Sequence, residues 1–377
     1  MSTTIAKVEA VPVSYLEPND SNSTRFLLFC RIETSDGHVG WGEAITQFAE
    51  STRAAAVILE GLADVLIGRS PLDHKAILAD LERRSWWYSY GGGVASFATS
   101  AIDVALWDVL GKVLGLSVSE LIGGCVRPTL PVIASTHAFN PSLEFEAERH
   151  GAYVREEGYA GVKIGMGKRG EARLGYDIDR DVDFVGQLRG AMGPDALLSM
   201  DRGQSLVWTV SDAIDRVRAF HEYNLAWIEE PLEPQDVEGF RRLREHVSCL
   251  VGTGEREFTL RGYQELVKSG ISDVVGFDPG RAGGITTGLK VIQLVEAQST
   301  WFNAHAWSSA VTTAASLALS GSTTRCLVFE MKPLANPMQD ELVTQPFKQS
   351  GGTIAVPDGP GLGIEVIESV LDHYRLR

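Results

Sequence analysis

Cysteine is scarce in this chain. Only four occur, at Cys30, Cys125, Cys249 and Cys326, and no two of them form a CxxC pair. Such spacing argues against a zinc cage or a disulfide framework and fits a reducing cytosol. Positive charge is also in deficit, with 34 Lys and Arg against 49 Asp and Glu, a net charge of −15 and a pI near 5.0. Without a basic face, nucleic acid and anionic membrane are poor partners, whereas a small anionic substrate stays open because a bound cation reverses the local field. No uninterrupted apolar run approaches the roughly 20 residues that cross a bilayer. The opening MSTTIAKVEAVPVSYL has neither the basic start nor the apolar core of a signal peptide. A cytoplasmic protein is the expectation.

What the chain does have is length and alternation. Its 377 residues, 44% of them hydrophobic, suit a barrel of roughly 200 to 250 residues with a second, smaller unit. Residues 1 to about 46 read as antiparallel strands, with a hairpin at Asp36-Gly37 because both positions tolerate positive φ. Apolar residues at helical spacing follow, ending in SFATSAIDVALWDVLGKVLG, where Gly115 acts as a stop. This α+β unit carries no evident catalytic chemistry and ends near Gly123-Gly124. Trp86, Trp87, Tyr88 and Tyr90 beside Gly91-Gly92-Gly93 read either as an aromatic cluster packed between domains or as a substrate-enclosing wall.

From LPVIASTHAF onward, short apolar runs alternate with amphipathic helices, and the runs end in polar residues. These are Lys163, Asp201, Glu229, Glu255, Asp278, His305 and Glu330. From Asp201 the steps are 28, 26, 23, 27 and 25 residues, each enough for one strand, one helix and two loops. Repeated βα units of this kind close into a parallel barrel whose strand C-termini share one mouth, so distant residues converge.

Asp201, Glu229 and Glu255 end three successive strands, and three carboxylates at one point need a cation to stay ionised. Hard oxygen ligands without Cys or His suit Mg²⁺. Each acid alone reads as an ordinary exposed loop carboxylate. Lys163 falls on one flank of the three and His305 on the other, with Asp278 on the neighbouring strand to fix the imidazole tautomer. A metal between two bases points to removal of the proton α to a carboxylate, with Mg²⁺ holding the resulting enediolate. Glu330 reads as a protonated acid donating to that enediolate, or as the partner of a nearby basic side chain. The run Gly165-Met166-Gly167-Lys168-Arg169-Gly170 matches GxGxxG with acids downstream, but lies mid-chain and not directly before a helix. It reads as a flexible loop beside Lys163 and not as a dinucleotide site.

At these residues, and in GWGEA, SAIDVALWDVLGK, WIEEP, GRAGGIT and PDGPGLGIE, nearly the whole chain resembles the enolase superfamily and its mandelate racemase-like group. The resemblance implies an α/β fold: a modified (β/α)₇β TIM barrel, residues 129–350, under an α+β capping domain of residues 1–128 completed by the tail 351–377. It implies Asp201, Glu229 and Glu255 as Mg²⁺ ligands, His305 with Asp278 as a dyad, Lys163 as the opposite-face base and Glu330 as the carboxylate-binding acid. Two positions depart from the group. Aligned on Lys-Ile-Gly, the first lysine of its Lys-x-Lys becomes Gly161, and the residue two after the first ligand, often Asn, is Gly203, which would open space near the metal. Arg202 or Lys168 are candidates to compensate. The activity implied is dehydration of an aldonate or aldarate, with a racemase, epimerase or cycloisomerase as the alternative. A barrel that binds without turnover and an NAD-linked oxidoreductase are the readings from other classes. Specificity would come from the capping loops Pro18 to Arg25 and Gln47 to Thr52 and from His137 and Trp307, and a homo-oligomer is expected.

Overall fold

Three antiparallel strands open the chain: β1 (Ile5–Glu17), β2 (Ser23–Thr34) and β3 (Val39–Ala44), in that order across the sheet. The structure, a computed structural model, describes residues 3–376. Gly37 turns the β2–β3 hairpin at φ 90°, as the Asp-Gly pair predicts. Helices Ala49–Leu62, His74–Ser85 and Val94–Leu114 cover one face of the sheet. The last is long and apolar enough to cross a membrane, yet 72% of its most apolar window is buried inside the fold. Its acids Asp103 and Asp108 also carry hydrogen bonds to other segments. We read it as a core helix.

The barrel follows as β4 (Thr129–His137), β5 (Gly161–Met166), β6 (Leu197–Arg202), β7 (Trp227–Glu229), β8 (Leu250–Thr253), β9 (Val274–Phe277), β10 (Trp301–Ala304) and β11 (Phe329–Met331). Neighbours pair in parallel from β10 back to β4, and β11 pairs with β4. The ring closes where Phe302 donates to the Arg325 carbonyl at 2.8 Å and accepts from the Leu327 N–H at 3.1 Å. A helix follows each of the first seven strands, giving (β/α)₇β. Trp227, Ile133 and Val328 form a small buried cluster of their own, backed by Leu197 and Leu250.

Six of the seven barrel helices begin with a side-chain cap of their own, from Ser142, Asp177, Thr209, Asp236, Thr259 and Ser309. Each satisfies an otherwise orphaned N–H of the first turn. The exception, Gly284–Gln298, begins after Gly283 and takes its cap from the first domain. Asp103 accepts from the Thr286 N–H at 3.0 Å and the Thr286 hydroxyl at 2.6 Å. Glu43 does the same for Ala310–Gly321, accepting from Ser308, from Ser309 and, at 3.0 and 2.7 Å, from the Thr312 N–H and hydroxyl. Carboxylates at helix N-termini also gain from the helix dipole. The segments GWGEA and SAIDVALWDVLGK are therefore the joint between the two units. Glu43→Ala would leave those donors buried without an acceptor. We expect it to lower the unfolding free energy by about 3 kcal/mol in urea titration, whereas Glu50→Ala, on an exposed site, should leave it unchanged.

The tail divides between the units. β12 (Thr353–Ala355) pairs antiparallel with β4, while Leu362 donates to Asp108 and the Tyr374 carbonyl accepts from Ser14. Trp86, Trp87, Tyr88 and Tyr90 are all exposed, so the aromatic run does not pack between the domains. Gly92 nevertheless abuts Phe258, in the loop after β8.

Candidate active site

Strand side chains alternate in direction, so residues two apart share a face. The register sets Gly165, Asp201 and Glu229 on one level, and Lys163 beside Ser199 two residues deeper. Glu255 lies just beyond β8, after Gly254, where φ is 126° and a Cβ would lie 2.7 Å from the Gly276 carbonyl. Only glycine fits that approach. The strand end is fixed by Glu230, whose own φ of 49° turns the chain after β7. Its carboxylate accepts from the Thr253 hydroxyl at 2.8 Å, the Gly254 N–H at 3.0 Å and Arg256 at 2.7 Å. Glu230 thereby ties the end of β7 to the turn that carries Glu255.

At one end of this arc of acids, the Lys163 ammonium donates to Glu229 at 2.6 Å and lies 2.7 Å from Glu330. At the other, His305 Nε2 is 3.9 Å from Glu255, and its Nδ1 is 3.0 Å from Asp278. The second Asp278 oxygen accepts from the Gly280 N–H, which holds the carboxylate still. Since Asp278 accepts, Nδ1 carries the proton and Nε2 faces Glu255. Glu330 also accepts from Asn303 at 2.7 Å.

Burial and charge act differently on these groups. Burial alone would lower the His305 pKa, but the bond to Asp278 and the charges of Asp278, Glu255 and Glu330 raise it. Burial likewise opposes the charge of Lys163, and Glu229, Glu330, Asp201 and Glu255 overcome it, holding the amine protonated well above its usual range. Glu255, despite burial, is pushed down to about 2, chiefly by His305 and then Lys163. Asp201 and Glu229 go the other way: burial lifts both, the remaining acids add to it, and the lysines do not compensate.

Whether these residues fit a metal follows from that imbalance. Four acids, Asp201, Glu229, Glu255 and Glu330, face two amines, Lys163 and Lys168. Among the described residues, no group of three or more His, Cys, Asp or Glu side chains stands close enough to hold an ion as placed. The amine of Lys163 instead takes one Glu229 oxygen. The donor set is nonetheless three hard carboxylates on neighbouring strand ends, with an unmet charge demand that a divalent cation suits. By donor chemistry and charge, the residues fit.

The register corrects the placing of the Lys-x-Lys motif. Gly161 pairs with Leu197 and lies four residues below the level of Asp201. Its Cβ would meet the Leu197 carbonyl at 2.1 Å, so no lysine fits there. The position level with Asp201 is Gly165. A Cβ on Gly165 would lie 2.5 Å from both Lys168 Cε and His137 Nδ1. Nor does Gly203 open space, because the Met166 carbonyl and Lys168 Cε take up its side-chain volume. Lys168 thus fills the notch between two glycines, its Nζ 4.0 Å from Asp201. Arg202 does not compensate, since its guanidinium is bound to the Glu230 and Leu206 carbonyls and to Glu233. The loop from Gly165 to Gly170 does not run into a helix either, the next one beginning at Ile178.

Asn303 and Glu230 escaped the sequence reading. Asn303 was within reach of it, two residues before His305 on one strand and so on the same face.

Comparison with known proteins identifies the family and the fold. Residues 5–123 match the family described as mandelate racemase / muconate lactonizing enzyme, N-terminal domain, and residues 146–370 the family described as enolase C-terminal domain-like. The D-galactarolactone cycloisomerase of Agrobacterium fabrum is 28% identical over 98% of this chain and 99% of its own. The D-gluconate dehydratase of Thermoproteus tenax is 29% identical over 99% of this chain and 74% of its own. The crystal structure of the 3,6-anhydro-D-galactonate cycloisomerase from Zobellia galactanivorans superimposes with a TM-score of 0.89 at 28% identity, covering 99% of this chain and all of that one.

Proposed function

Because the chain belongs to the mandelate racemase / muconate lactonizing enzyme family of the enolase superfamily, we propose that it removes the proton α to the carboxylate of an acid sugar and expels the β-hydroxyl as water. The product is a 2-keto-3-deoxy acid. The observation that carries this reading is the Asp278–His305 dyad, standing across the acid arc from an amine. A dehydratase and a cycloisomerase among the relatives support an acid sugar as the substrate class.

Mg²⁺ held by Asp201, Glu229 and Glu255 would supply positive charge opposite the reacting carboxylate. Lys163, tied to Glu229 and Glu330, adds a fixed ammonium at the same end. Lys168, its Nζ 4.0 Å from Asp201 and, among the described residues, without a carboxylate at hydrogen-bond distance, is the better placed of the two amines to take the α-proton in its neutral form. His305, oriented by Asp278, delivers a proton to the departing hydroxyl from Nε2.

Incubating acid sugars in D₂O with Mg²⁺ and the enzyme tests this. A 2-keto-3-deoxy product is expected, and Lys168→Met should slow its formation about 100-fold or more. Stereoinversion or deuterium exchange without loss of water would sink the dehydratase reading. A second reading, cycloisomerisation, is favoured by the end-to-end likeness to two cycloisomerases. It would show in the same assay as an isomer that loses no water and carries solvent deuterium.

A further inference from the structure

Arg25 lies on β2 in the capping sheet, with only 7% of its surface exposed. A guanidinium carries five N–H donors and keeps its charge at any working pH. Buried arginines are paired, because an isolated buried charge loses its hydration without return. Among the described residues, however, the Arg25 guanidinium makes no hydrogen bond and no ion pair. Its one close partner is an aromatic face: Cζ lies 4.8 Å from the centroid of the Trp307 ring.

The acids nearby are already committed. Glu17 is bound to Lys332 at 2.6 Å and to Tyr15 and Asn19. Glu43 has both oxygens on the start of the helix Ala310–Gly321. Lys332 itself stands 5.3 Å from the same Trp307 ring. Two cations therefore share one aromatic wall, and only one of them has an acid.

That wall is continuous with the reaction centre. The His137 ring stacks 4.9 Å from Trp307 and also abuts Gly165, on the level of Asp201. The Trp307 N–H donates to the Ser135 carbonyl, and Ser135 is in register with Lys163. One line of contacts thus runs from the acid arc, past His137 and Trp307, to Arg25.

We propose that the substrate bears a second carboxylate at the end remote from the reacting one, and that Arg25 receives it. The pocket then takes a dicarboxylic sugar acid or its lactone in preference to a monocarboxylic one. This rests on the acid-sugar reading above. The planar fork of the guanidinium matches a carboxylate with two parallel bonds, and the Trp307 face holds the fork in plane.

The test compares hexarates with the matching hexonates, which end in a hydroxymethyl group, on the wild type, Arg25→Met and Arg25→Lys. The wild type should favour the diacid by about 100-fold in kcat/KM. Arg25→Met should lose that factor on the diacid and stay within about threefold on the monoacid, with Arg25→Lys between them. Equal losses on both substrates, or a wild type that prefers the monoacid, overturn the proposal. Should no acid sugar react, adipate and hexanoate titrations followed by Trp fluorescence still decide it. Saturable binding of adipate but not hexanoate, lost in Arg25→Met, upholds the subsite although the dehydratase reading fails. No difference between the two probes overturns it. The melting temperature of Arg25→Met should hold or rise, since an unpaired buried charge is removed, and a clear fall would mark Arg25 as structural and overturn the proposal.

Discussion

His305→Asn should lower kcat by about 10² to 10⁴-fold, toward the upper end of that range, while leaving the fold intact. Asparagine still offers an N–H to Asp278, so the buried carboxylate keeps its partner. What disappears is the imidazole nitrogen 3.9 Å from Glu255. Asp278→Asn should cost a similar factor by a different route, because an amide leaves the ring free to take the wrong tautomer. The pH profile separates the two effects. Burial lowers the affinity of His305 for its proton, and Asp278, Glu255 and Glu330 more than restore it. If the protonated ring is the acid that expels the hydroxyl, kcat falls as pH rises through this raised pKa. Removing the Asp278 charge moves that alkaline limb to lower pH. A limb that stays in place in Asp278→Asn would separate the dyad from the rate-limiting proton.

Dialysis against a chelator should abolish turnover, and Mg²⁺ should restore it. The reason is electrostatic: burial and mutual repulsion lift Asp201 and Glu229 toward the neutral form, and the two lysines do not offset them. A divalent ion would settle that debt, so binding should also be visible without substrate. Mg²⁺ at about 100 times its dissociation constant should add roughly 2.7 kcal/mol to the unfolding free energy, seen as a higher melting temperature. Asp201→Asn, Glu229→Gln and Glu255→Gln should each weaken Mg²⁺ by more than about 100-fold, beyond the usual effect of an outer partner. A melting curve and a rate both indifferent to the chelator would remove the metal from the mechanism.

The alternation of the fold was legible because each barrel strand is a short apolar run closed by a polar residue, with an amphipathic helix between one run and the next. The arc from Lys163 through Glu229 and Glu255 to His305 followed from strand order alone. The motif at β5 was misplaced for a physical reason. A shift of two residues keeps every side chain on the same face, so Gly161 and Gly165 look equivalent until the partner strand supplies the register. Lys168 could be named only as a candidate beside Arg202, because its position depends on what two glycines lack, which only a packed structure reveals. Glu43 and Asp103 cap helices 266 and 183 residues away, and no local pattern announces such a pairing. Arg25 stood inside a loop already marked for specificity. Its missing partner could be seen only after every neighbouring acid was accounted for.

Those two long-range caps bear on how variants of this enzyme would behave in a growth selection. The helices they start follow β9 and β10, the strands that present Asp278 and His305. A lesion at Glu43 or Asp103 would loosen the chemistry from a distance. It should score as conditional: tolerated in the cold, lethal when warmed, and rescued by compensating changes anywhere that stiffen the seam.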